Sequence, residues 1–289
     1  MNFEIITDSS CNLPEHIIDQ YGLHILSLRF LVDGQEYYSY TKGEVTDLAQ
    51  FYGMMRQKKE ITTSQISPKT CRELFEGLLK EEKDILYIGF SSALSGTYQV
   101  AHITLEELKQ QYPDRKIYSV DTLGASLGEG LLVYLAAQRR AEGESIESVA
   151  EWLCKERFHL CHWFTVDDLF FLMRGGRVSS TAAIFGTMLG VKPVLHMDNE
   201  GRLIPMSKVR GRKKSLDALV KKLDETGVNP SEQSIFITHG DCLNDAQYVA
   251  QKIEMKYHPK EILINWVDPV IGAHSGPGTV ALFFLGTER

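Results

Sequence analysis

The chain has 289 residues, long for one hydrophobic core and comfortable for two domains. Hydrophobic residues at 43% and charged residues at 24% belong to an ordinary globular protein, and no stretch approaches the apolar length of a membrane span. A formal net charge of -7 argues against general affinity for nucleic acid, whose phosphates call for a basic footprint.

The start of the chain reads as a first strand, Phe3 to Thr7, rather than as a basic leader with an apolar run, so a cytoplasmic location is expected. Apolar strand-like runs at Phe3 to Thr7, Asp84 to Phe90 and Ile117 to Asp121 alternate with helical stretches at Pro14 to Tyr21, Ser95 to Gln111 and Gly128 to Ala141. This alternation predicts a Rossmann-like α/β/α layer with parallel strands, whose ligands gather at the strand C-termini. The character changes near residues 155 to 165. Beyond lie a tight turn, Arg174-Gly175-Gly176-Arg177-Val178-Ser179, and a strand start at Lys192-Pro193-Val194-Leu195. Strands at Leu203 to Val209, Ser234 to Thr238 and Ile262 to Val267, with helices at Lys214 to Thr226 and Asn244 to Tyr257, predict an α+β domain with a mixed sheet. The last apolar run, Val280 to Leu285, can return to the first domain's sheet. The expected domains are therefore 1–158, with 280–289 open to completing it, and 159–279, packed closely around a cleft.

Three hydroxyl-bearing stretches stand out: Thr62 to Gln65, Ser91 to Thr97 and Gly272 to Thr279. Glycines in two of them let backbone amides approach a ligand, and none of the three holds an acidic residue. If they meet, they form a cradle for a carboxylate or a phosphate.

Other chemistries are less well supplied. There is no phosphate-loop pattern, and Gly124 to Gly130 misses the dinucleotide spacing and carries Glu129, which would repel a pyrophosphate. Five cysteines (Cys11, Cys71, Cys154, Cys161, Cys242) include no C-x-x-C pair, and the His159-Leu160-Cys161-His162 group has no second cluster of ligand spacing, so no metal or cofactor is expected. A hydrolase stays open: Gly124-Ala125-Ser126-Leu127-Gly128 matches the G-x-S-x-G elbow, chain order allows Asp268 and His274 as acid and base, and Ser95 is a weaker second nucleophile.

Taken in order, Asp8-Ser9-Ser10, Thr63-Ser64-Gln65, Leu94-Ser95-Gly96-Thr97, Gly124 to Gly130, Leu172 to Ser179, Lys192 to Leu195, Arg210-Gly211-Arg212, His239-Gly240 and Gly272 to Thr279 resemble the motifs of the DegV family nearly end to end. Two positions depart from the family pattern: Ile66 where proline is frequent and Thr122 where serine is usual. The resemblance implies a lipid-binding subunit without catalytic groups of its own. It would bury one long-chain fatty acid, carboxylate at the domain interface and tail inside, and present it to a dihydroxyacetone-kinase-like partner for phosphorylation to an acyl-phosphate. It would have at most transient contact with a membrane. Carried over position by position, the head-group ligands are Thr63, Ser95 and Gly96, with Arg210 as counter-charge and His274 as a further donor. Arg174 and Arg177, read as an exposed turn, are the partner-docking candidates. The alternative is an acyl-ester or thioester hydrolase with Ser126 or Ser95 as nucleophile.

Overall fold

The computed structural model describes residues 3–179 and 190–289. Three sheets organise them. The first is parallel, in the order β2 (His24–Leu26), β1 (Phe3–Asp8), β6 (Asp84–Gly89), β7 (Ile117–Asp121). β1 and β6 are near-continuous apolar runs because both of their faces are covered. Helices α1 (Glu15–Tyr21), α3 (Pro68–Lys80) and α4 (Thr97–Gln111) belong to this half. The small second sheet is antiparallel, with β3 (Arg29–Val32) between β4 (Gln35–Tyr38) and β5 (Ile61–Ser64). Helix α2 (Leu48–Arg56) lies between β4 and β5 in the chain.

The third sheet is mixed and runs β10 (Leu203–Arg210), β9 (Val191–Met197), β8 (Leu160–Thr165), β13 (Val280–Leu285), β11 (Ser234–His239), β12 (Glu261–Trp266). Only β11 and β12 pair in parallel. Helices α8 (Arg212–Thr226) and α9 (Leu243–Tyr257) cover one of its faces, closing a core around Trp163, Leu219 and Ile237. The run Val280 to Leu285 does not return to the first domain's sheet, contrary to the expectation from sequence. It inserts antiparallel between β8 and β11, pairing Phe283 with His162 on one side and with Phe236 on the other. A wholly buried strand needs ladder partners on both edges, and the gap between β8 and β11 supplies them.

Helix α5 (Leu127–Ala141) joins the halves. It packs against β1 and β6 of the first sheet and against β8, β11 and β13 of the third. That explains why the helix is buried nearly all round, from Leu127 to Val133, rather than along one stripe. Close approach depends on small residues: a Cβ at Gly128 would lie 2.0 Å from His162 Nε2 and one at Gly130 would lie 2.4 Å from the Cys11 carbonyl oxygen. Helix α6 (Ile146–Glu156) follows and leads into β8, and α7 (Phe170–Arg174) follows β8.

Direct hydrogen bonds stitch the two halves together. Ser39 Oγ donates to Asp268 Oδ2 at 2.6 Å, Asn265 Nδ2 donates to the Asn12 carbonyl at 2.7 Å, and Ser91 Oγ donates to the Gly201 carbonyl at 2.9 Å. Glu129, seen in the sequence as a repulsive charge, is fully buried and accepts from Thr7 Oγ1 at 2.9 Å. Burial, with the Asp8 carboxylate nearby, raises its pKa well above the ordinary glutamate value and so favours the neutral acid.

Candidate functional site

Short α10 (Pro269–Ser275) sets the most informative side chain. Asp268 caps it, its carboxylate accepting from Val270 N at 3.0 Å and Ile271 N at 3.2 Å, and Pro269 fits the first turn. The helix stops at Gly276, whose φ of +84° suits glycine and whose missing Cβ leaves room for Phe171. His274 is thereby held in the last turn, and its Nε2 meets Thr63 Oγ1 on β5 at 2.8 Å. Burial, with the positive charges of Arg177 and Arg174, holds the ring's pKa down at about 4, so it is neutral at neutral pH. In the tautomer whose Nε2–H donates to Thr63, the Thr63 hydroxyl hydrogen is free to donate to an oxyanion.

Thr63 is followed by Ile66, 2% exposed in the core below α3. Burial of this side chain anchors the loop where a proline ring would otherwise restrict it, and Ser67 then caps α3 by accepting from Thr70 N at 3.1 Å. The remaining hydroxyl stretch, Ser91 to Thr97, follows β6. Ser95 Oγ accepts from Thr97 N at 3.2 Å and donates to Thr97 Oγ1 at 3.0 Å, which starts α4 at Thr97 rather than at Ser95. Gly96 faces Gln65 so closely that a Cβ would lie 2.0 Å from Gln65 Oε1.

All three stretches therefore converge, and what they enclose is a cavity of about 300 Å³ between the halves of the molecule. Thr63, Ser95, Gly96 and His274 line it, with Gln65 beside them. Ser64 Oγ and Ser275 Oγ also belong to the lining and have no hydrogen-bond partner among the described residues. The rest of the lining is mostly apolar, carrying Leu28, Phe90, Phe164, Leu172 and Phe283 among others, with Ser126, Thr238, Thr279 and His162 as its further polar members. Among the described residues no aspartate or glutamate lines the cavity, and Arg177 is the one arginine or lysine in the lining. A neutral donor set with a single guanidinium suits a monoanion whose remainder is apolar.

Two arginine assignments change. Arg210 is exposed at the end of β10 and is absent from the cavity lining. Arg177 takes the inward position: its Nε donates to the Leu94 carbonyl at 3.2 Å and its guanidinium reaches back to the Gly175 carbonyl. The turn holding Arg174 and Arg177 is thus divided, Arg177 half-buried in the cavity wall and Arg174 exposed over the Phe171 ring. A strand end and a tight turn both look solvated in sequence, and only the approach of the Leu94 carbonyl turns one of them inward.

The elbow pattern also resolves. Ser126 does adopt the strained conformation, with φ +57° and ψ −148°, and lines the cavity. Its Oγ, however, meets Asn12 Oδ1 at 2.7 Å and Thr238 Oγ1 at 3.1 Å, tying the first half to β11. His274 is engaged with Thr63 and Asp268 with Ser39 and the α10 amides, so no hydrogen bond joins the supposed triad. The other histidine near Ser126, His162, accepts from Ala125 N at 3.2 Å. Ser95 has no histidine or carboxylate partner among its hydrogen bonds either. Among the described residues no group of three or more His, Cys, Asp or Glu side chains is placed to hold a metal, and no helix is long and apolar enough to cross a membrane.

Comparison with known proteins agrees with this architecture. A family model described as "Uncharacterised protein, DegV family COG1307" matches residues 2–287. A DegV domain-containing protein of Clostridium perfringens is 46% identical over 287 residues, covering 99% of this chain and 98% of that protein. Among solved structures, a DegV lipid-binding protein from Thermotoga maritima superposes with a TM-score of 0.87 at 29% identity, with 100% of each chain covered. A Thermus thermophilus DegV family protein, whose structure is described for its fatty acid binding, gives 0.87 at 30% identity over 99% of this chain and 100% of that one. With its sheets, its cavity and its sequence in accord from end to end, the chain belongs to the DegV family.

Proposed function

We propose that this protein binds one long-chain fatty acid in the cavity between its halves. The observation that carries the reading is the make-up of that cavity: Thr63, Ser95 and His274 gathered near Arg177, a lining otherwise mostly apolar, and among the described residues no acidic side chain to oppose a carboxylate. Thr63, Ser95 and His274, with the Gly96 amide, receive the carboxylate, and Arg177 supplies the compensating charge. The fatty-acid-binding and lipid-binding relatives support the ligand class.

Energetics give the two ends different tasks. A tail of about sixteen carbons gains roughly 0.8 kcal/mol per buried methylene, on the order of 12 kcal/mol gross, so the tail dominates affinity. A buried carboxylate without donors would cancel much of that gain, so the polar end sets orientation and registers the head group.

The protein then presents the carboxylate, in the cytoplasm, to a dihydroxyacetone-kinase-like partner that transfers a phosphoryl group to it, giving an acyl-phosphate. Support for this step lies in α7. Gly175, which caps its C-terminus, packs directly on His274, a Cβ there falling 2.3 Å from Nδ1, while Arg174 one residue earlier is exposed. A partner touching Arg174 stands over the head group.

Mass spectrometry of an organic extract of the purified protein tests the ligand. A stoichiometric long-chain fatty acid is expected, with weaker retention in Ser95→Ala; absence of lipid after both careful extraction and added fatty acid would refute the carrier reading.

A further inference from the structure

The strand register gives the cavity a direction. On β13 and β8 the paired residues Ala281 and Phe164 form one row of the lining, and Phe283 and His162 form the next. Alternate residues on a strand share a face, so the rows stand about 7 Å apart along the strands. The first row adjoins Val280 and Thr279, and so the loop after His274. The second row is therefore farther from the polar end.

Strand β9 continues this floor. Its register with β8 pairs Leu195 with Phe164 and His196 with Trp163, and Met197, two residues on from Leu195, shares the face of Leu195 in the direction of the His162 row. Met197 is completely buried, lines the cavity, and pairs across the β9–β10 hairpin with Leu203, which lines it as well. The hairpin turn is seated on the first half of the molecule. Ser91 Oγ donates to the Gly201 carbonyl at 2.9 Å, and a Cβ at Gly201 would lie 2.3 Å from that same Oγ. His162 cannot retreat: both ring nitrogens are engaged, Nε2 by Ala125 N and Nδ1 by the Leu160 carbonyl, and its ring meets Phe283 edge to face at 5.2 Å. Among the described residues closing this end, Met197 is the long, unbranched one free of polar ties, so its length bears on where the cavity stops.

We infer that Met197, with Leu203 across the hairpin, sets the longest acyl chain this protein accepts. The inference rests on the fatty acid reading above. Met197→Ala removes Cγ, Sδ and Cε, leaving room for about three more methylenes.

The test offers the purified full chain a graded mixture of saturated fatty acids and reads the retained chains by mass spectrometry. Met197→Ala is expected to shift the preferred length up by about three carbons, and Met197→Phe to shift it down. Leu105→Ala, in the core below α4 and outside the cavity, serves as a control for general loosening and leaves the profile unchanged. Should Met197→Ala fail to fold, Leu203→Ala, half-buried and milder, carries the same expected upward shift. Variants that retain lipid with the wild-type length profile overturn the inference. Wild-type protein that retains no fatty acid overturns the carrier reading itself, so the two failures are told apart.

Discussion

His274 makes stability depend on pH in a way that can be worked out from its surroundings. An unfolded chain takes up a proton on this ring near the ordinary value of 6.5, whereas the folded protein resists until about 4. The unfolded state therefore binds more protons between these values, and the contribution of His274 is complete above about 6.5 and falls as pH falls toward 4. With those two values the loss accumulated by about pH 5 is about 2 kcal/mol. For a chain of this size that lowers Tm by about 3 °C. Other buried groups titrate in the same range, so the measurement is a comparison. His274→Gln keeps a polar partner for Thr63 but cannot titrate, and the difference between the two stability curves isolates the ring. The wild-type curve is expected to steepen relative to the variant below about pH 6.5. A bound carboxylate beside the ring favours its charged form, so the lipid-loaded protein is expected to lose less stability on acidification than the empty one. Thermal denaturation across the pH range, with and without fatty acid, supplies both readouts. Parallel curves for wild type and His274→Gln would show that the ring is not held neutral by burial, and the reasoning would fail.

The division between the arginines is tested by competition with a fluorescent fatty acid: Arg177→Leu is expected to weaken binding about tenfold or more, as loss of a charge-assisted hydrogen bond does, while Arg210→Leu leaves affinity near wild type. The reverse ranking would return the counter-charge to Arg210. Gly128→Ala drives a methyl into the pinned His162 ring and is expected to cost about 1–3 kcal/mol in chemical denaturation. Gly77→Ala, on α3 with nothing within 4 Å of the new Cβ, is expected to stabilise by about 0.5–1 kcal/mol, and equal effects at the two sites would contradict the packing described here.

Much of the first half is legible in the sequence because parallel strands buried on both faces leave unbroken apolar runs, as Phe3 to Thr7 and Asp84 to Gly89 do. The hydroxyl stretches around Thr63, Ser95 and His274 stand out in the sequence as well, since hydroxyls beside glycines and without acids are able to meet an anion, and the structure brings them to one cavity. Other features depend on partners distant in sequence. Val280 to Leu285 is apolar enough for either large sheet, and only the vacant edges of β8 and β11 assign it. Arg177 and Arg210 carry the same charge in similar local settings, and a carbonyl from Leu94 separates their roles. The elbow at Ser126 is locally correct in its strain, yet the catalytic partners its pattern calls for are bonded elsewhere.

By itself, then, the sequence determines most of the strands and helices and singles out the hydroxyl-bearing stretches, because local periodicity and side-chain chemistry are short-range properties. Tertiary structure alone decides where the cavity runs and ends. Alternation along β8, β9 and β13 shows that each strand has two faces, but only long-range register places His162, Phe283 and Met197 on the one face that looks into the cavity.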